Sequence, residues 1–299
     1  MSIKELPIDE YLLKGHAACA GCGAAMALRL LFKALGNKII LVVPASCTTV
    51  IQGPYPYTSV SVPLQNTLFE AGGATASGIV AALNVRGLED VNVVCWAGDG
   101  GTADIGLQSL SAAAERGTNF IYICYDNEAY GNTGLQRSGA TPYGAWTTTT
   151  PKGKREHKKN MPLIMAAHGI PYIATASPSY PIDFVNKLRK AKGIHGTRYI
   201  HILTPCPVGW RYEPSKTVEV GRLAVQTGNW ILFEIEHGSF KLSSPCDKLI
   251  DKAKRKPVKE YLAVQGRFRH LREDDVERIQ KWVDENWKYY LKLALDAEV

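Results

Sequence analysis

The chain has 299 residues, of which 45% are hydrophobic, and this length and composition favour a folded protein with a sizeable core over a disordered one. The formal net charge is +7, but no basic stripe interleaved with aromatic residues is present, so nucleic-acid binding is not expected. No apolar run reaches the roughly 20 residues of a membrane span. The N-terminal segment MSIKELPIDEYLLKG lacks the pattern of a secretory signal, so we expect a cytoplasmic protein without a membrane contact.

Strand-like and helix-like segments alternate along the first half of the chain, and this alternation predicts an α/β fold with a mostly parallel sheet flanked by helices on both faces. Glycine and alanine are frequent in the second predicted helix, which should therefore pack closely against a neighbour. In chain order, we predict a helix at 24–35, a strand at 38–43, a helix at 66–83, a strand at 91–97, a helix at 103–116 and a strand at 119–125.

A polar stretch rich in glycine, threonine and proline covers residues 126–160. Loops of this length in compact domains are typically functional or bound to a partner. Within it, the basic run KGKREHKK at 152–159 is typical of a solvated loop. A contact surface for an acidic partner or for phosphates is the sharper alternative.

The second half continues the alternation and then becomes charged beyond residue 241. We divide the chain into a main domain over 1–240 and a C-terminal tail over 241–299, which we expect to contact a partner subunit or a second copy. The predicted helices are 163–168, 181–192, 215–227 and a long amphipathic 272–295, and the predicted strands are 171–175, 198–203 and, as the last, 230–236.

A glycine-rich turn, Gly98-Asp99-Gly100-Gly101, follows a predicted strand and precedes a predicted helix. Open α/β sheets bind ligands at the carboxyl ends of their strands, and glycines there let the backbone approach a diphosphate at a helix N-terminus. Asp99 is a hard oxygen ligand suited to Mg²⁺. The next strand ends at Asp126-Asn127, so Asn127 and the carbonyl of Ala129 could add oxygen ligands, while Asp126 caps the loop.

A GDG turn alone is common and has an ordinary structural explanation. Its combination with a strand that ends in asparagine one helix and one strand later is typical of thiamine-diphosphate enzymes, and we interpret Gly98, Asp99, Gly100, Asn127 and Ala129 in this way.

The seven cysteines do not indicate a disulfide framework in a chain without an export signal. Four of them, Cys19, Cys22, Cys47 and Cys206, form a set of candidate metal ligands, and spacing alone leaves a [4Fe–4S] cluster and a tetrahedral zinc site equally open. Two others, Cys95 and Cys124, lie in predicted buried strands and are interpreted as core residues. Cys246 receives no role.

Several long motifs resemble the β subunits of pyruvate:ferredoxin oxidoreductases, within the 2-oxoacid:ferredoxin oxidoreductase family. They are HAACAGCGAAMALRL, GDGGTADIGLQSLSAAAERG, YDNEAYGNTGLQRSGATPYGAW, PCPVGW and YLAVQGRF, and the resemblance extends over residues 15–271.

The resemblance implies a thiamine-diphosphate-binding fold with a C-terminal helical tail, and it gives each candidate residue a role. The four candidate cysteines Cys19, Cys22, Cys47 and Cys206 would bind one [4Fe–4S] cluster, which places iron–sulfur above zinc. Mg²⁺ would be bound by Asp99, Asn127 and Ala129. Asn132 would bind near the diphosphate and act at the reacting carbon, and Gly98 and Gly100 would line the diphosphate loop.

The implied reaction is the reversible oxidative decarboxylation of pyruvate with coenzyme A to acetyl-coenzyme A and carbon dioxide, with electrons passing through the cluster to ferredoxin. The same chemistry on 2-oxoisovalerate, 2-oxoglutarate or an aryl pyruvate is the alternative. The implied partners are α-, γ- and δ-type subunits.

Two functions of other classes remain open from the residues: a non-catalytic zinc or iron–sulfur scaffold, and a thiamine decarboxylase without redox chemistry. Thiamine chemistry also needs a glutamate against the aminopyrimidine ring, which the family takes from a partner subunit. Glu70 is the only carboxylate here in an apolar, small-residue context, and we interpret it as structural or interfacial. We therefore expect the chain to be inactive alone.

Overall fold

A computed structural model describes residues 3–296. Its strands are β1 (Ile39–Pro44), β2 (Leu64–Thr67), β3 (Asn92–Gly98), β4 (Phe120–Asp126), β5 (Tyr172–Ala176), β6 (Thr197–Leu203), β7 (Phe233–Glu236) and β8 (Ser239–Leu242). Its helices are α1 (Gly23–Leu35), α2 (Cys47–Gln52), α3 (Gly72–Val85), α4 (Leu107–Glu115), α5 (Met161–Ala166), α6 (Pro181–Gly193), α7 (Pro207–Trp210), α8 (Thr217–Gln226), α9 (Val258–Ala263) and α10 (Glu273–Asp296).

All eight strands form one sheet in the order β2-β1-β3-β4-β6-β5-β7-β8. The first six pair in parallel, whereas β7 is antiparallel to β5 and β8 is antiparallel to β7. The chain leaves β1 to one side to form β2 and then returns to the other side of β1 to form β3. This reversal creates the topological switch point at which open α/β sheets bind ligands.

Both faces of the sheet are covered, as predicted, because successive side chains of a strand point to opposite faces. In β3, Val94 and Trp96 belong to the core packed by α1 and α6. Val93 and Cys95 belong to the core on the opposite face, which α3, α4, α8 and α10 cover. Cys95 and Cys124 are fully buried, which confirms their interpretation as core residues.

The predicted helix at 66–83 is wrong at its beginning. Asn66 and Thr67 lie in β2, where they pair in parallel with Val43 and Pro44 of β1, and the helix starts only at Gly72. Pairing with a buried strand outweighs the local composition there.

Three further differences concern shorter elements. The predicted helix at 103–116 is divided, because residues 101–105 form a π-type turn and α4 starts only at Leu107. The strand predicted at 230–236 is not the last one, because β8 follows it. The short helices α2 and α7 were not predicted, since neither is long enough to show a helical period.

The C-terminal tail packs on the main sheet. Trp287 donates its indole N–H to the carbonyl of Gly228 at 2.9 Å, and the rings of Tyr290 and Phe233 are 5.0 Å apart. The division of the chain at residue 240, the docking of the tail to a partner and the cytoplasmic location stay predictions. None of the helices in the described range combines the length and apolar character of a membrane span.

Glycine permits the close approach of α3 to α4 that the composition predicted. A Cβ atom on Gly73 would overlap the backbone carbonyl of Ser109, whereas a Cβ atom on Gly78, in the same helix, would meet nothing within 4 Å. The two glycines therefore respond in opposite ways to an added methyl group.

We expect Gly73→Ala to destabilise the protein by roughly 1–3 kcal/mol, because the rigid backbone of α4 must move. Gly78→Ala is the matched control, and we expect it to stabilise the helix by about 0.5–1 kcal/mol. Thermal unfolding of the assembled complex measures both effects. Equal shifts for the two variants would contradict the close packing of α3 on α4.

Candidate functional site

Four neighbouring parallel strands carry the candidate residues just beyond their carboxyl ends. Cys47 follows β1, Asp99 follows β3, Asn127 follows β4 and Cys206 follows β6. Because these strands are adjacent and parallel, their carboxyl ends lie along one edge of the sheet. Residues that are far apart in sequence therefore meet at one site.

A cleft opens at this edge, and it has a volume of about 210 Å³. All six predicted cofactor-binding residues line it, together with Cys47, Phe69 and Tyr130: they are Gly98, Asp99, Gly100, Asn127, Ala129 and Asn132. Complete small-molecule sites typically measure about 300–1,000 Å³. The volume of the cleft is therefore below the range that is typical of a complete small-molecule site.

Tyr130 covers the glycine turn. The sequence analysis predicted the turn but not this contact. A Cβ atom on Gly100 would overlap the Tyr130 ring, so only glycine allows this contact. The Tyr130 hydroxyl donates to a carboxylate oxygen of Asp104 at 2.7 Å, and the backbone N–H of Gly139 donates to the same oxygen at 2.9 Å. Tyr130 is therefore held across the turn from its far end.

Asp99 is a buried carboxylate, with 1% of its surface exposed. Ser138 donates its hydroxyl to Asp99 Oδ2 at 2.5 Å, and no Lys, Arg or His nitrogen in the described residues is within 4.0 Å of it. Burial, followed by repulsion from Asp126, raises the pKa of Asp99 well above its usual range. A buried carboxylate without a cation is unfavourable, and a bound metal ion would offset this cost. Sequence reasoning missed Ser138.

The loop after β4 holds Asn127 and Ala129 in a fixed conformation. The N–H of Ala129 donates to the side-chain oxygen of Asn127 at 3.2 Å. The indole N–H of Trp210 donates to the backbone carbonyl of Asn127 at 2.8 Å. Trp210 belongs to the PCPVGW motif. The sequence analysis identified this motif but did not predict its contact with Asn127.

A chain of buried charges supports the same loop. Lys158 donates to Asp126 and to Glu128, both at 2.9 Å, and Arg267 donates to the other Glu128 oxygen at 2.6 Å. His201 Nε2 is 2.9 Å from Asp126 Oδ2. We call these five residues the buried charge network.

The buried charge network keeps Asp126 ionised. Burial alone would raise the pKa of Asp126, but the charge of Lys158 and the hydrogen bond to His201 hold it below its usual range. Asp126 also accepts the N–H of Glu128 at 2.8 Å, which confirms its predicted capping role, and Glu128 has a positive φ of 64°.

The Arg267 guanidinium lies 3.9 Å from the centre of the Trp210 ring. The QGRF segment of the tail is therefore joined to the loop that carries Asn127.

Three of the four candidate cysteines lie at the beginnings of helices. Cys22 precedes α1, Cys47 is the first residue of α2, and Cys206 precedes α7. The N–H of Gly209 donates to the Cys206 sulfur at 3.3 Å. Backbone N–H groups at helix beginnings favour a thiolate over a thiol.

The loops that carry these cysteines pack against each other. The N–H of Gly23 donates to the carbonyl of Pro205 at 3.2 Å, so the segment after Cys22 lies against the segment before Cys206. Burial, and then the proximity of Cys206, raises the pKa of the Cys47 thiol to about 12, and burial raises that of Cys206 to about 11. Burial thus outweighs the helix N-termini unless a positively charged centre accepts the thiolates.

No three His, Cys, Asp or Glu side chains among residues 3–296 converge closely enough to hold a single metal ion. Burial, followed by repulsion from Cys22 and Cys19, raises the pKa of Cys206, so these three cysteines lie near one another.

Two remaining candidates lie at the edge of the site. Asn132 lines the exposed mouth of the cleft, and its backbone N–H contacts the Cys47 thiol. Glu70 is half-buried and is not among the residues that line the cleft. Its backbone carbonyl accepts the Ser109 hydroxyl at 2.6 Å.

Comparison with known proteins adds a family to this geometry. The model of the thiamine pyrophosphate enzyme, C-terminal TPP binding domain, matches residues 47–202. The chain is 56% identical to pyruvate synthase subunit PorB of Methanothermobacter marburgensis, over 94% of this chain and 97% of that protein. It is 51% identical to ketoisovalerate oxidoreductase subunit VorB of Pyrococcus furiosus, over 97% of this chain and 95% of that protein.

A solved structure supports the fold. The 2-oxoglutarate:ferredoxin oxidoreductase from Magnetococcus marinus, with 2-oxoglutarate, coenzyme A and succinyl-CoA bound, superposes with a TM-score of 0.59 at 24% identity, over 73% of this chain and 82% of that chain. The match to the TPP-binding domain covers Cys47, Asp99 and Asn127 of the cleft. The chain therefore belongs to the thiamine-pyrophosphate-binding subunits of the 2-oxoacid:ferredoxin oxidoreductase family.

Proposed function

We propose that this subunit, within a multi-subunit complex, carries out the oxidative decarboxylation of pyruvate with coenzyme A, with electrons passing through a [4Fe–4S] cluster to ferredoxin. The observation that carries the proposal is the meeting of Cys47, Asp99 and Asn127 in one cleft at the switch point of the sheet. An oxygen site for Mg²⁺ and a candidate cluster ligand are thereby neighbours.

The donor set of the cleft fits Mg²⁺ with a diphosphate. Asp99 would supply a carboxylate oxygen, Asn127 an amide oxygen and Ala129 a backbone carbonyl, all hard ligands of the kind that Mg²⁺ prefers. Backbone N–H groups of the turn that contains Gly98 and Gly100 would approach the phosphate oxygens. When bound, thiamine diphosphate supplies a nucleophilic carbon and an electron sink for the decarboxylation of a 2-oxoacid.

The chain's own residues orient the reaction. Asn132, at the mouth of the cleft, would hold an oxygen of the reacting group through its amide, which is the catalytic role we assign to it. The buried charge network keeps Asn127 in place, and Ser138 orients Asp99. The small volume of the cleft and the position of Glu70 outside it support a site that a partner subunit completes.

The four candidate cysteines would bind the cluster, which accepts electrons one at a time. The resemblance to the β subunits of pyruvate:ferredoxin oxidoreductases favours a cluster over a tetrahedral zinc ion. Cys47 would be the ligand nearest to the thiamine site, because it alone of the four lines the cleft. A scaffold without catalysis or a decarboxylase without redox chemistry would leave this neighbourhood unexplained.

Pyruvate is the substrate that the similarity to PorB favours, and the similarity to VorB at 51% identity favours 2-oxoisovalerate as the second candidate. We propose α-, γ- and δ-type subunits as the partners that complete the cleft and carry electrons onward. Substrate choice then depends in part on those subunits.

The function is tested by reduction of a viologen dye by the anaerobically purified complex with coenzyme A and a panel of 2-oxoacids. We expect the highest kcat/KM with pyruvate. We also expect Asp99→Asn to lower the activity at least roughly a hundredfold, because a neutral amide binds Mg²⁺ weakly.

The control for this test is Asp90→Asn, an exposed aspartate that pairs with Lys38, which should retain full activity. Preference for 2-oxoisovalerate would change the substrate and keep the chemistry. A complex that still holds thiamine diphosphate but reduces the dye with none of the oxoacids would overturn the proposed function.

Iron content tests the cluster ligands. We expect Cys206→Ser to remove about four iron atoms per copy of this chain and the signal of one [4Fe–4S] cluster in electron paramagnetic resonance. Cys246→Ser is the matched control, because Cys246 is buried but does not belong to the four candidate ligands. Its sulfur accepts the backbone N–H of Leu232 at 3.1 Å. Equal iron content in both variants would rule out Cys206 as a ligand.

Arg267 tests the buried charge network. Arg267→Met leaves Glu128 buried with one cation instead of two, so we expect a loss of about 3 kcal/mol of stability and weaker binding of thiamine diphosphate. The exposed Arg269, two residues further on, gives the control Arg269→Met, which should change neither. An unaltered thiamine diphosphate Kd in Arg267→Met would show that the network does not position the loop of Asn127.

A further inference from the structure

A second concave surface, separate from the cleft, lies between the basic loop and the beginning of α10. It shares no residue with the cleft and has a volume of about 650 Å³. We call it the basic groove. It is lined by Tyr143, Gly144, Pro151, Lys152, Gly153, Lys154, Arg155, His270, Leu271, Arg272, Asp275 and Arg278.

The basic groove concentrates positive charge that the protein does not neutralise. Its lining has five Lys or Arg residues and His270, and none of the six makes an ion pair within 4.0 Å in the described part of the chain. Its one carboxylate, Asp275, accepts the backbone N–H of Arg272 at 3.1 Å. Most charged surfaces mix both signs, so this excess favours an anionic ligand.

One of these charges is buried, which a solvated loop does not require. Lys154 is 2% exposed, and its ammonium group donates to the carbonyls of Thr141 at 2.7 Å and His157 at 3.4 Å. Burial, together with repulsion from Arg137, lowers the pKa of Lys154 to about 8. An anion in the groove would offset this unfavourable burial.

The shape of the basic groove favours a small ligand over a protein surface. Gly144 and Gly153 approach each other so closely that a Cβ atom on Gly153 would lie 2.9 Å from the Gly144 carbonyl and 2.8 Å from His270 Nε2. Two lining segments of the groove and His270 therefore lie close together, and basic side chains come both from the loop and from the segment that leads into α10. Its volume lies within the usual range for small-molecule sites.

We propose that the basic groove binds a small ligand that carries two or more phosphate groups. Arginine forks on both walls suit phosphate oxygens, which they can bind in a bidentate manner. The inference does not rest on the proposed function, since no cleft residue takes part. It replaces the solvated-loop interpretation of residues 152–159, because Lys154 is a buried residue in the lining of the groove and Lys158 belongs to the buried charge network.

Titration calorimetry with inorganic pyrophosphate tests the proposal on the assembled complex, saturated with thiamine diphosphate and Mg²⁺ so that the cleft does not compete. In the triple variant Lys152→Gln, Arg155→Gln, Arg272→Gln, we expect Kd to rise at least roughly tenfold. These side chains are exposed and make no hydrogen bond within the described residues, so the variant should fold.

The control variant Lys38→Gln, Lys241→Gln, Lys248→Gln removes the same charge from exposed lysines outside the groove, and we expect its Kd to be unchanged. Equal weakening in both variants would mean a general electrostatic effect and would overturn the site. So would unchanged pyrophosphate binding in the groove variant. If that variant instead raises only the KM for ferredoxin, the groove docks an acidic protein and the small-ligand proposal fails.

Discussion

Parallel pairing of β1, β3, β4 and β6 is the constraint on which the site depends. Each strand carries one candidate site residue shortly beyond its end, and the common direction of the strands brings these residues to one edge. Reversal of any one of these strands would move its residue to the opposite edge of the sheet. The antiparallel strands β7 and β8 lie at the far side, where they carry no candidate ligand and support the tail instead.

Charge burial is the second constraint, and it acts against stability unless it is compensated. Asp99 and Asp126 are both buried near each other, but of the two only Asp126 has a lysine partner, Lys158, together with a hydrogen bond to His201, whose own pKa is lowered by burial. Among the described residues, the side-chain partner of the Asp99 carboxylate is the Ser138 hydroxyl. This asymmetry is what a metal site needs, because an internal cation at Asp99 would compete with the metal.

The candidate cysteines resemble Asp99 in one respect: their ionised form is buried and would be stabilised by a positive centre. Cys22, Cys47 and Cys206 lie at the beginnings of helices, but burial raises the pKa of all three thiols and so favours their protonated form in the absence of a positive centre. The environment is therefore prepared for thiolates that a metal cluster stabilises. Because Cys47 lines the cleft, the two proposed cofactors would share a boundary within this chain, and the proposed partner subunit would complete the substrate-binding half of the site.

The sequence by itself determined the α/β class, most strands of the sheet and the residues of the cleft, because hydrophobic runs and glycine turns depend on local chemistry. The sequence also singled out the tail motif QGRF, but it did not show which residues this motif contacts. Only the tertiary structure decided that Arg267 reaches Glu128, that Ser138 holds Asp99, that Tyr130 covers Gly100 and that the basic loop divides between the interior and a groove. These contacts join segments far apart in the chain, and no local pattern specifies which distant partner a buried charge or a close-packed glycine will meet.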